Sequence, residues 1–307
     1  MIRILVLWLI GLSPVLAEPV KNGFDLAGAT IPIDEIYQGG PPRDGIPAID
    51  RPRFIGPDRA DYLSDDDRVL GIALDGIARA YPIAVLNWHE VVNDRFGDRP
   101  IVVTFCPLCG TGMAFEARIG GQDRQFGVSG LLYNSDVLLY DRDSESLWSQ
   151  LARQAVTGPM TGTELEMIPV SHTDWADWRT RHPDTGVLST DTGHRRDYGR
   201  DPYQGYQRSE TVFFPLSSSS PRYHPKEQVI GLEIDGRFKA YPFVELAGTG
   251  QTRISDRFAG QSLTIEYDGE HRTGRVLTTD GIEVPTVIAF WFAWSAFHPD
   301  TEVYKNP

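Results

Sequence analysis

The 307-residue sequence has only two cysteines, Cys106 and Cys109, so a disulfide-stapled framework is excluded and a hydrophobic core must hold the chain together. An excess of positive charge is also missing. The formal net charge is −13, which argues against nucleic acid and anionic membrane as partners. Long apolar runs are scarce: the one candidate, Ile4 to Ile10, follows Arg3 and is broken by Pro14 before Val15-Leu16-Ala17. It is too short for a hydrocarbon core of roughly 30 Å, which takes about 20 residues. Residues 1–17 therefore read as a cleavable signal peptide. With no second run of that kind, the mature chain is expected to be exported, periplasmic or secreted, without membrane insertion once the leader is removed.

What is present is repetition. Residues 18–68 are rich in Pro, Gly and Asp and predict an extended N-terminal arm. Then Val69-Leu70-Gly71-Ile72-Ala73-Leu74-Asp75-Gly76 recurs as Val229-Ile230-Gly231-Leu232-Glu233-Ile234-Asp235-Gly236. Both copies continue into Ala-Tyr-Pro (80–82 and 240–242) and Asp-Arg-Phe (94–96 and 256–258). Both end in Trp-x-x-Trp (175 and 178; 291 and 294) followed by His-Pro-Asp-Thr (182–185 and 298–301). The pattern predicts a β-rich α+β fold of two homologous, hairpin-containing halves, an internal duplication over 69–189 and 229–305 with the second half shortened and degenerate. A connector, 190–228, joins them, and one compact unit is expected. Each Asp-Gly pair predicts a tight hairpin turn. Thr173 to His182 predicts a helix with Thr173 as its N-cap, and Leu131 to Tyr140 predicts one long strand. The Ser217–Ser220 run predicts a flexible tip.

Repetition separates scaffold from site, since chemistry is best sought where only one copy has it. By that test the two His-Pro-Asp-Thr segments belong to helix ends. Only the first copy carries Phe105-Cys106-Pro107-Leu108-Cys109-Gly110. Three chemistries suit this pair. A thioredoxin-like redox pair needs a helix beginning at the motif, whereas Gly110, Thr111 and Gly112 lead into a strand-like run. A structural Cys106–Cys109 disulfide suits an oxidising compartment. A turn that aims both sulfurs at one soft cation suits copper or zinc. Pairing Asn87–Phe96 with Pro100–Phe105 brings His89 and Glu90 to the cysteines, which makes His89, Cys106 and Cys109 the candidate ligands. The second copy has Gln251, Asp268 and His271 in their place. Candidate pocket-lining residues are Glu90, Ser129, Asn134, Asp136, Trp148 and Gln150, with Asn134 and Asp136 expected on one strand face. Ser129 lacks the Gly-x-Ser-x-Gly spacing of a hydrolase nucleophile.

Several motifs together, Asn-Trp-His-Glu at 87–90, Phe-Cys-Pro-Leu-Cys-Gly at 105–110, Gly-Val-Ser-Gly-Leu-Leu-Tyr-Asn-Ser-Asp at 127–136, Tyr-Asp-Arg at 140–142, Leu-Trp-Ser-Gln at 147–150 and Asp-Tyr-Gly-Arg-Asp-Pro-Tyr at 197–203, carry a resemblance. The chain resembles a large group of bacterial exported proteins known only as a domain of unknown function. That resemblance covers roughly 60–305 and brings no activity with it. The expected function is that of an exported metal-binding protein, possible metalloenzyme chemistry included, acting on an unknown small ligand or metal, with Tyr and Trp side chains walling the pocket. The rivals are a non-catalytic envelope scaffold with a structural disulfide and a thiol-redox protein.

Overall fold

The structure, a computed structural model, describes residues 19–306; the signal-peptide reading of residues 1–17 lies outside them. The described residues are β-rich, with five sheets of four or five strands, two small ribbons and four short helices. None of these helices is long and apolar enough to cross a membrane.

Alternating apolar residues on either side of Asp75-Gly76 and Asp235-Gly236 form two antiparallel hairpins, Arg68–Leu74 with Ile77–Pro82 and Gln228–Ile234 with Arg237–Pro242. Both residues of each turn have positive φ, the backbone that matches strand twist in a two-residue hairpin. Each hairpin gains an antiparallel strand on one side, Ser171–Asp174 or Val287–Phe290. On the other side each gains a parallel strand, Gly186–Leu188 or Glu302–Val303. A three-stranded meander follows each hairpin: Val91–Phe96, Arg99–Cys106 and Thr111–Glu116 in the first half, Arg253–Phe258, Gln261–Asp268 and Thr273–Thr278 in the second. The first half alone adds a five-stranded sheet containing Phe126–Tyr133, Asp136–Asp141 and Leu147–Ser149.

The first meander is covered on both faces, which explains why Ile101–Cys106 is apolar at every position but Thr104. Ile101, Val103 and Phe105 pack with Leu70, Ile72 and Tyr81 of the hairpin. Val102, Cys106 and Met113 face the added sheet (Phe126, Leu139, Trp148) and second-half aromatics Phe290, Trp291 and Trp294.

The His-Pro-Asp-Thr segments are helix-end structure. The helices Trp175–Arg181 and Trp291–Phe297 each stop before the histidine. The threonine accepts the indole N–H of the preceding Trp, Trp178 to Thr185 at 2.9 Å and Trp294 to Thr301 at 3.0 Å. Each Trp lies against a strand glycine: a Cβ on Gly71 or Gly231 would fall 2.2 Å from the Trp178 or Trp294 ring.

Four local expectations need correction. The helix Trp175–Arg181 is capped by Asp174, which accepts from Asp177 N, and not by Thr173. The run Leu131–Tyr140 is no single strand, because Asn134 and Ser135 both take positive φ and turn the chain between Tyr133 and Asp136. The strand expected from Asn87 starts only at Val91, since the short helix α1, Ile83–Leu86, runs on through a turn in which Glu90 N bonds Leu86 O. The Ser217–Ser220 run is tied down at both ends, by Ser217 N to Asn134 Oδ1 (2.7 Å) and by Trp291 Nε1 to Ser220 O (3.0 Å).

Overpacking a closed strand–indole contact costs about 1–3 kcal/mol. Gly71→Ala and Gly231→Ala should each lower the unfolding free energy measured by urea denaturation by an amount in that range, while an unchanged midpoint for both would contradict the packing described.

Candidate metal centre

Cys106 is the last residue of its strand, and Pro107-Leu108-Cys109-Gly110 turns the chain into Thr111–Glu116. Gly110 has φ +61°, and a Cβ there would sit 2.7 Å from the Phe290 ring, so glycine is required on both counts. The carbonyl of Cys109 accepts from Phe290 N (2.8 Å) and Thr111 Oγ1 (3.2 Å). A strand follows the second cysteine and no helix starts there, so the helix dipole of a thioredoxin-like pair is missing.

The third member of the site comes from the added sheet. The Asn134-Ser135 turn delivers Ser135 O to both thiols, 3.3 Å from Cys109 Sγ and 3.7 Å from Cys106 Sγ. Asp136 follows, its Oδ2 accepting from Leu151 N at 2.9 Å. Its Oδ1 is buried without a partner. The ligand atoms of Cys106, Cys109 and Asp136 lie within 4.8 Å of one another, in a group that can hold a metal ion. All three residues are at most 1% exposed.

That burial disfavours every negative charge the site would carry. It pushes both thiols up, Cys109 well above the ordinary range, although the neighbouring Cys109 partly offsets the shift at Cys106. Burial also raises Asp136 to about 7, against the N–H of Leu151 and the two thiols. Glu90 is raised to about 8 by burial, with the nearby charge of Asp136 adding to it.

His89 is not a member of the group. Its Nδ1 is 2.7 Å from Pro47 O and its Nε2 2.7 Å from Tyr198 Oη, so both ring nitrogens are engaged. Burial holds its pKa down at about 4. The paired register, Val91 with Thr104, would have carried a continuing strand to His89 opposite Cys106, but the chain departs from it at Glu90, whose φ is +58°. Asp136 stands where a third ligand was expected from His89.

The pocket-lining candidates divide. Glu90 is beside the site, within the electrostatic reach of Asp136 and Cys106. Gln150 ties Thr104 Oγ1 (2.7 Å) on the cysteine strand to the added sheet, and its Oε1 is buried without a partner. Asn134 caps the connector through Ser217 N. Trp148 spends its indole N–H on Asp141 Oδ2 (2.9 Å) in the core. Ser129 sits in the bulge of its strand, donating to Leu138 O and accepting from Leu131 N, and so braces the sheet.

The connector supplies residues that sequence reasoning left unnamed. Tyr206 is 5% exposed, its hydroxyl is buried without a partner, and burial first, then the charges of Cys109 and Cys106, push its pKa up and keep the phenol neutral. Lys226 Nζ lies 4.1 Å from the Tyr206 ring centroid and donates to Thr211 O (2.7 Å). Burial lowers Lys226 to about 8, opposed by the charge of Cys109. The only signal was compositional: the connector is rich in tyrosine, as expected of a pocket wall.

The shifts set a sign for stability against pH in metal-free protein. Carboxyls with folded pKa values of about 7 and 8 keep protons that the unfolded chain has already released, so stability falls as pH rises towards those values. His271, raised by its bond to Asp174, acts in the same sense. His89 and His298, held down at about 4 and 3, act oppositely but only below their ordinary 6.5. Urea denaturation of metal-free protein should therefore show stability falling from pH 6.5 to 8, with a shallower slope in Glu90→Gln. A rise over that window would contradict the assignment.

Residues 43–281 match the family described as a protein of unknown function, DUF3179. No curated protein and no solved structure matches the chain. Two of the motifs meet in space: Asn87 Nδ2 donates to Asp201 Oδ1 (3.1 Å), Trp88 Nε1 to Arg200 O (3.2 Å), and His89 pairs with Tyr198. With most of its length matched, the chain belongs to the DUF3179 family.

Proposed function

We propose that this is an exported metal-binding protein whose ion, zinc in the first instance, is held by Cys106, Cys109 and Asp136. The observation that carries the reading is the convergence of two buried thiols on a buried carboxylate whose Oδ1 has no partner. An unpaired buried polar atom is costly, and a cation would satisfy it while stabilising the thiolates. The donor set favours zinc over copper(I), which prefers thiolates and thioethers without a carboxylate. Two thiolates and one carboxylate exceed the charge of Zn²⁺ by one, and the Lys226 ammonium near Cys109 supplies the balance. Three protein ligands leave a fourth position for water or substrate, the arrangement of a catalytic zinc. Metalloenzyme chemistry is thus part of the proposal.

The two halves, on the same reading, descend from one duplicated unit. Support comes from their matching strand orders and from the paired Gly–Trp–Thr contacts. The second half has lost the site: at the corresponding positions, His271 bonds Asp174 across the halves and Asp268 Oδ1 accepts from the backbone of Glu270.

Metal analysis of the full chain, purified under reducing conditions, should find about one zinc per molecule. Cys106→Ser, Cys109→Ser and Asp136→Asn should each lose it. Because the ligands must shed protons to bind, zinc affinity should fall steeply as pH drops below about 7, the folded value for Asp136. Stoichiometric copper would keep the site and change its ion. Absence of both metals together with absence of free thiol would instead assign a structural Cys106–Cys109 disulfide.

A further inference from the structure

Beside the buried site lies a surface cavity of about 400 Å³, bounded by Asn87, Trp88, Arg195, Arg196, Asp197 and Tyr203. We infer that this cavity is the binding site for a small oxyanion, a carboxylate or phosphate monoester bearing a flat apolar group, that is presented to the metal centre; the inference rests on the metal reading above. Its volume is within the range of small-ligand sites.

The chemistry of the walls sets the ligand class. In a chain of net charge −13, two adjacent arginines line this cavity. Among the described residues neither forms a salt bridge, and Arg196 Nη1 donates only to the carbonyl of Arg195 at 3.2 Å. Asp197 also lines the cavity, so the lining carries a net charge of one positive unit. Guanidinium forks match the oxygens of carboxylate and phosphate. Trp88 has its N–H occupied by Arg200 O, which leaves its ring to offer a stacking surface.

The position of the cavity sets the connection. Tyr203 and Ile46 line it, and both also pack against the core cluster that contains Cys106 and Cys109. The Tyr203 hydroxyl lies within electrostatic reach of Glu90 and Cys106. Tyr203 therefore belongs both to the cavity wall and to the packing around the core that holds the site. Glu90, buried, lies within electrostatic reach of both Tyr203 and Asp136. The segment that carries the arginines is joined to the cavity floor just beyond them by the Asn87–Asp201 and His89–Tyr198 bonds, while both arginines stay exposed to solvent.

Calorimetric titration of the full, zinc-loaded protein with phenyl phosphate and with benzoate tests the inference and separates the two oxyanions, with benzyl alcohol as the neutral control. Saturable binding of at least one oxyanion is expected, weakened tenfold or more in Arg195→Ala/Arg196→Ala while zinc content stays unchanged. No saturable binding of either, or binding indifferent to the arginines, overturns the oxyanion site. Cobalt-substituted protein reads the connection: the oxyanion should move the visible cobalt bands, and arginine-dependent binding that leaves them unmoved overturns the link to the metal. Arginine-dependent binding by a protein that takes up neither zinc nor cobalt would remove the metal reading and keep the oxyanion site.

Discussion

Two thiols and a carboxyl are buried together with no cationic side chain bonded to them, and the rest of the first half is arranged around that fact. The carboxyl would be ionised in water, and all three groups are held towards their neutral forms by burial. A core could fill the same space with apolar side chains at lower cost. Instead a glycine-closed turn, a positive-φ Asn-Ser turn and a tyrosine-bearing connector converge on it. A bound cation is the simplest physical reason for keeping such a cluster.

The second half reads as support. Its Phe290 packs on Gly110 and donates its N–H to Cys109 O, fixing the cysteine turn from behind. Trp291 anchors the connector at Ser220, and the connector in turn reaches Asn134 beside the site. The halves also meet where His271 bonds Asp174 and where Arg68 donates to His271 O (2.6 Å). The second half thus helps to hold the Cys106, Cys109 and Asp136 group in place.

The frame was legible because it rests on local rules. Asp75-Gly76 and Asp235-Gly236 mark their hairpins by turn chemistry alone, and the repeated Trp and Thr positions show which residues are scaffold. The cysteine pair was legible too, because Cys-Pro-Leu-Cys-Gly encodes a tight turn. The third member of the buried group was legible only as a pocket-lining candidate, not as a partner of the thiols. Asp136 reaches the cysteines through pairing of distant segments, and its preceding Asn134-Ser135 turn lacks the glycine that usually marks one. His89 was misplaced for a related reason: one positive-φ residue, Glu90, ends the strand register on which its placement depended. Tyr206 and Lys226 were hidden in a stretch that reads as linker, since composition cannot say what a connector lies against.

The central claim is that Cys106, Cys109 and Asp136 share one ion. X-ray absorption at the zinc edge of the native full-length protein measures this directly. The account predicts two sulfur neighbours at about 2.3 Å and oxygen neighbours at about 2.0–2.2 Å, with the oxygen shell altered in Asp136→Asn. A shell without sulfur, or sulfurs joined to each other at about 2.05 Å, would contradict it.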